Sequence, residues 1–209
     1  MVHAYSDDEG TLLVRLARKT VDRYVTRRER PAIPENIPAK LREKSGVFVT
    51  LNKTGRSISR LRGCIGRPYP SQPLVEATID SAVDSATNDS RFPPVTVGEL
   101  DAIVVELSVL TPPMPIKYDN PDELLRMVEV GKDGLIASQG MWRGLLLPQV
   151  PVEYGWDAKT FLEHTCMKAG LPSNQWREQG IEFMSFQAEI FGETAPRGPI
   201  VRNPRNERC

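Results

Sequence analysis

Val47-Phe48-Val49-Thr50-Leu51-Asn52-Lys53-Thr54-Gly55 is the stretch whose reading decides the fold. Val47, Val49 and Leu51 alternate with Phe48 and Thr50, the period of a half-buried strand, and Asn52 to Gly55 supply turn chemistry. Ile58 to Ile65 then return as a second strand, so the segment reads as a β-hairpin and commits this part of the chain to antiparallel pairing. On the returning strand Leu61 and Ile65 share one face and Arg60, Arg62 and Cys64 the other, provided Gly63 introduces no bulge.

That second strand carries Leu61-Arg62-Gly63-Cys64-Ile65-Gly66, a cysteine fenced by two glycines beside an arginine. The glycines remove the Cβ atoms that would shield a thiol and permit backbone angles other residues resist. In an extended segment Arg62 falls on the face of Cys64, roughly 7 Å along the strand, where a fixed positive charge favours a thiolate. The hexapeptide therefore reads as an exposed, electropositive cysteine.

Working outward, Ser6-Asp7-Asp8-Glu9 is a capping box that starts an amphipathic helix with Leu12, Leu13, Leu16, Val21, Tyr24 and Val25 on its apolar side. Arg15, Arg18, Lys19, Arg23, Arg27 and Arg30 make the other side basic, which reads as a solvated face. Pro31, Pro34 and Pro38 end the helix and predict an extended wrap. After Pro68 and Pro70, the spacing of Val75, Ile79, Ala82 and Ala86 predicts a closely packed helix over about 73–86, with small Thr78, Ser81 and Ser85 nearby. Its free N-terminal amides are expected beside the thiol. Asp89-Ser90-Arg91-Phe92-Pro93-Pro94 reads as a loop, and Ile103 to Leu110 as a strand on which Glu106 and Ser108 face solvent or a cleft.

The second half begins with a short helix after Asp119-Asn120-Pro121 and a hairpin formed by Leu135–Ser138 and Trp142–Leu147, stopped by Pro148 and Pro151. Asp157 caps a helix whose apolar face is Ala158, Phe161, Leu162, Thr165, Cys166 and Ala169, terminated by Gly170 and Pro172. A last strand is expected with Met184, Phe186, Ala188 and Ile190 inward, and from Pro196 a loosely ordered Pro/Arg tail over 196–209. Hairpins interspersed with helices predict an α+β fold with a mainly antiparallel sheet, formed by a single domain over 1–195 that has room for two subdomains.

Composition narrows the function classes. The 27 basic and 27 acidic residues balance, so no global field draws the protein to nucleic acid or an anionic membrane, and any anion recognition is local. No apolar run reaches the length of a membrane span, and the N-terminus does not resemble a signal peptide. Cys64, Cys166 and Cys209 form no CxxC pair, which fits free thiols in a reducing cytoplasm. Three scattered cysteines with His3 and His164 make a poor zinc set. Neither histidine suits a Cys-His pair, because His3 lies at the terminus and His164 falls on the outer face of its helix. Cys166 reads as a small core hydrophobe. Neither GxxxxGK[ST] nor GxGxxG is present, and the residues name no cofactor. Arg56, Arg60, Arg62 and Arg67 nevertheless gather charge near Cys64, either for an anionic ligand or for ion pairs with neighbours such as Glu106.

The hexapeptide resembles the hallmark of the AMMECR domain family, named for the human chromosomal region linked to Alport syndrome, midface hypoplasia and elliptocytosis. The likeness extends to Asp89-Ser90-Arg91-Phe92-Pro93-Pro94-Val95, Glu106 to Thr111, Gly144 to Val150, Phe161-Leu162 and Lys168 to Leu171, and so covers most of the chain. It implies an α+β fold with a larger and a smaller subdomain and a functionally important hexapeptide. In some bacteria a related domain accompanies a Memo-like protein and a radical S-adenosylmethionine protein, which implies redox or modification chemistry. Two readings follow. In the first, an enzyme or redox factor uses Cys64 as nucleophile or redox thiol, Arg62 to stabilise its thiolate or hold an anionic or electrophilic small molecule, and Glu106 as general acid or base. In the second, a noncatalytic module uses Arg62, Cys64 and the Gln149 loop to recognise a protein or small ligand. Arg60, Gly63, Gly66, Arg91 and Gln149 are the candidate substrate-binding positions under either, and a homo-oligomer remains open. A third reading makes the glycines and Cys64 a device for close packing alone.

Overall fold

Ser6 accepts a hydrogen bond from the Glu9 amide while Glu9 reaches back to the Ser6 amide, and this reciprocal cap opens helix α1 (Asp7–Arg27). In the computed structural model, which describes residues 4–55 and 60–203, there follow β1 (Gly46–Lys53), β2 (Leu61–Arg67), α2 (Leu74–Thr87) and β3 (Ile103–Leu110). Next come β4 (Met114–Pro115), α3 (Pro121–Met127), β5 (Gly134–Gln139), β6 (Trp142–Leu146), α4 (Gln149–Tyr154) and α5 (Ala158–Lys168). The chain closes with β7 (Glu182–Phe186), β8 (Ala188–Glu193) and β9 (Ile200–Arg202). The fold is α+β with antiparallel pairing, and the chain divides into two compact units. His3, Arg56, the Ile58 start of the returning strand, and tail residues 204–209 with Cys209 lie outside the described residues.

The first unit contains the residues up to Leu110 and those from Glu189 onward. Its sheet runs β2-β1-β3-β8-β9. The core side expected of the hairpin holds, since Val47, Val49 and Leu51 are fully buried and join Val105, Leu107, Leu13, Val14, Ala17, Ile79 and Ala82 in one core. Thr50 and Asn52 on the other face are buried too, so the strand is not half-exposed. Burying a Val or Leu side chain contributes about 1.5–3 kcal/mol, so this apolar face and the helices α1 and α2 packed on it hold the unit together.

The second unit, Thr111 to Ala188, has its own sheet in the order β4-β7-β5-β6. Its core contains Leu124, Leu135, Phe161, Leu162, Trp176 and Phe183. Asp157 caps α5 by accepting from the Thr160 amide, and Gly170 at φ +80° lets Leu171 donate back to the Cys166 carbonyl. Cys166 is fully buried in this core, and burial pushes its thiol up to about 11.

Four expectations need correction. The last strand is two strands in two sheets, broken at Gln187, whose amide and carbonyl bond Thr111 instead of continuing a ladder. Phe186 is buried as expected, but Phe183 and Phe191 are the residues that join the two cores, while Met184, Ala188 and Ile190 are half-buried. The tail is ordered as far as described: β9 pairs antiparallel with β8, and Arg202 bonds Asp7, Glu189 and the Tyr5 carbonyl. Arg18 is not on a solvated face but buried, its guanidinium gripping Glu193 at 2.9 and 2.5 Å and the Ile103 carbonyl at 2.7 Å. Finally, His164 is half-buried, its ring stacked on Trp156 with centroids 3.9 Å apart.

Candidate functional site

The hexapeptide forms most of β2, an edge strand of the first sheet. Its pairing with β1 is regular from Val47↔Arg67 to Leu51↔Gly63 and then slips, so that Asn52 faces Leu61 and Arg62 is the extra residue of a bulge. The bulge on whose absence the alternation argument depended is therefore present, at the residue before Gly63, and Arg62 leaves the face of Cys64. Its guanidinium forks onto Glu99 at 2.8 and 3.0 Å and donates to the carbonyls of Pro93 at 2.8 Å and Pro94 at 3.3 Å. Arg62 is buried, and its hydrogen bonds hold the Glu99 carboxyl down at about 2. Arg62 thus ties the loop at 89–96 and the 3-10 turn Val97–Ala102 to the strand, and its charge is spent on Glu99.

Cys64 is surrounded by different partners. The Thr50 hydroxyl lies 3.3 Å from its sulfur, its amide donates to Asp89 Oδ2 at 2.8 Å, and its carbonyl accepts from Arg91 Nη2 at 3.3 Å. Arg91 in turn forks onto Asp89 at 2.9 and 2.7 Å, and these bonds hold the Asp89 carboxyl at about 2. Register places Thr50 between Cys64 on β2 and Glu106 on β3, so hydroxyl, thiol and carboxylate share one row across three strands.

The thiol is not acidic. Burial pushes the Cys64 thiol above its ordinary range, opposed only in part by the Thr50 hydroxyl and Arg91, while the negative charges of Asp89 and Glu106 add to the rise. The expected electropositive, exposed cysteine is thus a half-buried one whose nearest charges are mixed. Helix α2 works in the same direction. The β2–α2 connection reverses the chain, so it is the C-terminal end of α2, with Ser85 and the following Asp89, that lies against Gly63, Cys64 and Ile65. The expectation of its N-terminal amides beside the thiol is reversed, and the dipole there disfavours a thiolate at Cys64.

The remaining candidates separate clearly. Gly63 is buried with α2 across it: a Cβ there would stand 2.0 Å from the Ser85 carbonyl oxygen. Gly66 lies under the Phe48 ring, where a Cβ would come within 2.4 Å of it. Both glycines serve close approach. Arg60 is exposed, and its carbonyl closes the hairpin by accepting from the Lys53 amide at 2.6 Å. Arg67 pairs with Asp84 at 2.9 Å, and Arg91 keeps about half of its side chain in solvent. Glu106 is fully buried, so it faces neither open solvent nor an open cleft. Gln149 belongs to the second unit and is the first residue of helix α4, not part of a loop, because Pro148 sits at the helical entry and Gly155 at φ +65° ends it. Among the described residues, a shallow depression of about 830 Å³ lined by residues 115–123 and 177–184 and another of about 390 Å³ beside Arg23 and Arg197 do not border Cys64.

Sequence reasoning missed Thr50, Ser85, Asp89 and Glu99. The Ser85 hydroxyl accepts from the Ile65 amide at 2.8 Å and donates to the Val49 carbonyl at 2.7 Å, which stitches α2 to both hairpin strands. Asp89 carried a signal, since an aspartate two residues before an arginine in a turn favours the local fork seen here. Among the described residues no group of three His, Cys, Asp or Glu side chains is placed to hold a metal ion, and no helix is long and apolar enough to cross a membrane.

Comparison with known proteins agrees with this architecture. A solved structure of an uncharacterised protein from Pyrococcus horikoshii superposes with a TM-score of 0.90 at 51% identity, covering 95% of this chain and 98% of that one. By sequence, a Thermofilum pendens protein is 51% identical over 94% of this chain and 95% of its own, and a Methanocaldococcus jannaschii protein 48% identical over 93% and 94%. The AMMECR1 family model matches residues 14–191, which takes in the whole hexapeptide strand, the second sheet and the first sheet as far as Phe191 in β8. The chain belongs to the AMMECR1 family.

Proposed function

We propose that the chain is a noncatalytic recognition module whose surface around the hexapeptide binds a carboxylate- or phosphate-bearing group on a small molecule or protein. One contrast carries this reading: the thiol is pushed away from its nucleophilic form, whereas Arg91 beside it is half-exposed and held rigid by Asp89. Arg91 Nη1 forms no hydrogen bond among the described residues, so it can donate to an incoming anion without dismantling the fork. Arg60 adds an exposed cation at the start of the strand, and Gly63 and Gly66 keep the platform tight. The free thiols Cys64 and Cys166 suit a reducing cytoplasm.

Inorganic phosphate titrated into protein labelled with nitrogen-15 at arginine is expected to give a saturable shift of the Arg91 side-chain signal, and Arg91→Ala should abolish the corresponding stabilisation. A linear, unsaturable response that is unchanged in Arg91→Ala would remove the basis for anion recognition here. Thiol chemistry is the second reading, and the row Cys64, Thr50 and Glu106 favours it. In that reading Cys64 remains the nucleophile or redox thiol and Glu106 the proton acceptor, with Thr50 between them and Arg62 in a supporting role through Glu99.

A further inference from the structure

The outer edge of β2 has an unusual cover. The Cys64 amide donates to Asp89 and its carbonyl accepts from Arg91, so both main-chain groups of this residue point away from β1. The Asp89 carboxylate stands where the carbonyl of an added strand would stand, and the Arg91 guanidinium where its amide would be. Two side chains joined to each other thus imitate one residue of a neighbouring strand.

The cover is short. Gly66 lies two residues further along, and strand alternation turns its amide and carbonyl in the same outward direction. Among the described residues these groups form no hydrogen bond to a side chain or loop, and the glycine is half-exposed. At the other end of the strand, the bulge at Arg62 already interrupts regular pairing. The stretch from Cys64 to Gly66 is therefore the part of this edge able to accept a strand, and half of it is closed only by Asp89 and Arg91.

We infer that the Asp89–Arg91 pair is an edge guard that keeps β2 from pairing with β2 of a second copy of this chain. The edge is self-complementary. A twofold axis at Ile65 would set Cys64 of each copy opposite Gly66 of the other, both as doubly hydrogen-bonded antiparallel pairs, with the two Ile65 residues facing each other between them. The guard acts through Arg91 Nε and Nη2 and the backbone of Cys64, so it stands apart from anion recognition by Nη1.

Sedimentation over a concentration series tests this on the full chain, with amide hydrogen exchange read at Cys64 and Gly66. Arg91→Ala and Asp89→Ala are expected to raise the dimer association constant about tenfold or more over the parent, and to make exchange at Gly66 slow as concentration rises. Arg91→Ala carries the test alone if loss of Asp89 unfolds the protein, because the Arg91 side chain is half in solvent. Association unchanged in a folded Arg91→Ala protein would overturn the inference. So would increased association that leaves Gly66 exchange independent of concentration, since the contact would then lie elsewhere.

Discussion

Gly63→Ala is expected to destabilise the first unit by about 3 kcal/mol or more, which lowers the melting temperature of a chain this size by roughly 10 °C. The cause is backbone against backbone. The added Cβ would meet the Ser85 carbonyl oxygen at 2.0 Å, and neither partner is a flexible side-chain end that can swing away. Relief requires α2 to lift from β2, which would break the two Ser85 hydroxyl bonds to Ile65 and Val49 and open the Asp89 contact to the Cys64 amide. Gly98→Ala is the matched control, because Gly98 is exposed and a Cβ there meets nothing within 4 Å. Calorimetry on the two variants separates the cases. A Gly63→Ala melting point within about 2 °C of the parent would show that α2 does not press on the strand as described.

The second large effect is expected at Arg18 and Glu193. Arg18→Ala leaves the Glu193 carboxylate in a site where both partners are nearly inaccessible to water, and breaking such a pair from one side costs about 3–5 kcal/mol. Glu193 also accepts from the Val105 amide at 2.9 Å, so it links α1 on one side to β3 on the other. Replacing both residues by apolar ones of similar volume, Arg18→Met with Glu193→Leu, should recover a large part of the loss, because no charge is then left buried alone. Denaturant unfolding of the two single variants and the double variant gives the coupling. Additive losses would mean that the pair does not act as a unit.

The elements that were legible in the sequence are those determined locally. The capping box at Ser6, the Val47-Val49-Leu51 alternation, the Asp157 cap and the Gly170 stop each depend on residues within a few positions of one another, and the structure forms all of them. What escaped depends on distant partners. Arg18 meets Glu193 across 175 positions, and helical spacing alone cannot distinguish that arginine from its solvated neighbours. Arg62 meets Glu99 37 positions away, and although Gly63 marked a place where the strand could bulge, the register slip that aims Arg62 there is set by its pairing with β1 and its distant partner. The same holds for the tail, because β9 is a strand only through its pairing with β8.

The candidate site follows this division. The hexapeptide was conspicuous as sequence, and its position on a strand was legible. Its electrostatics were not, because they come from Asp89 and Arg91 in the following loop, from Glu106 two strands away and from the C-terminal end of α2. Burial first, and then the charges of Asp89 and Glu106, reverse the direction expected from Arg62 alone, and Arg91 opposes them only in part.

Alkylation of Cys64 with iodoacetamide across a pH series, with mass spectrometry resolving it from Cys166 and Cys209, tests the recognition reading most directly. A thiol kept neutral by burial and by its acidic neighbours should react slowly at neutral pH, and its rate should rise only above the ordinary thiol pKa of about 8.5. Fast alkylation at neutral pH with an apparent pKa well below that value would contradict the account and return Cys64 to the role of nucleophile.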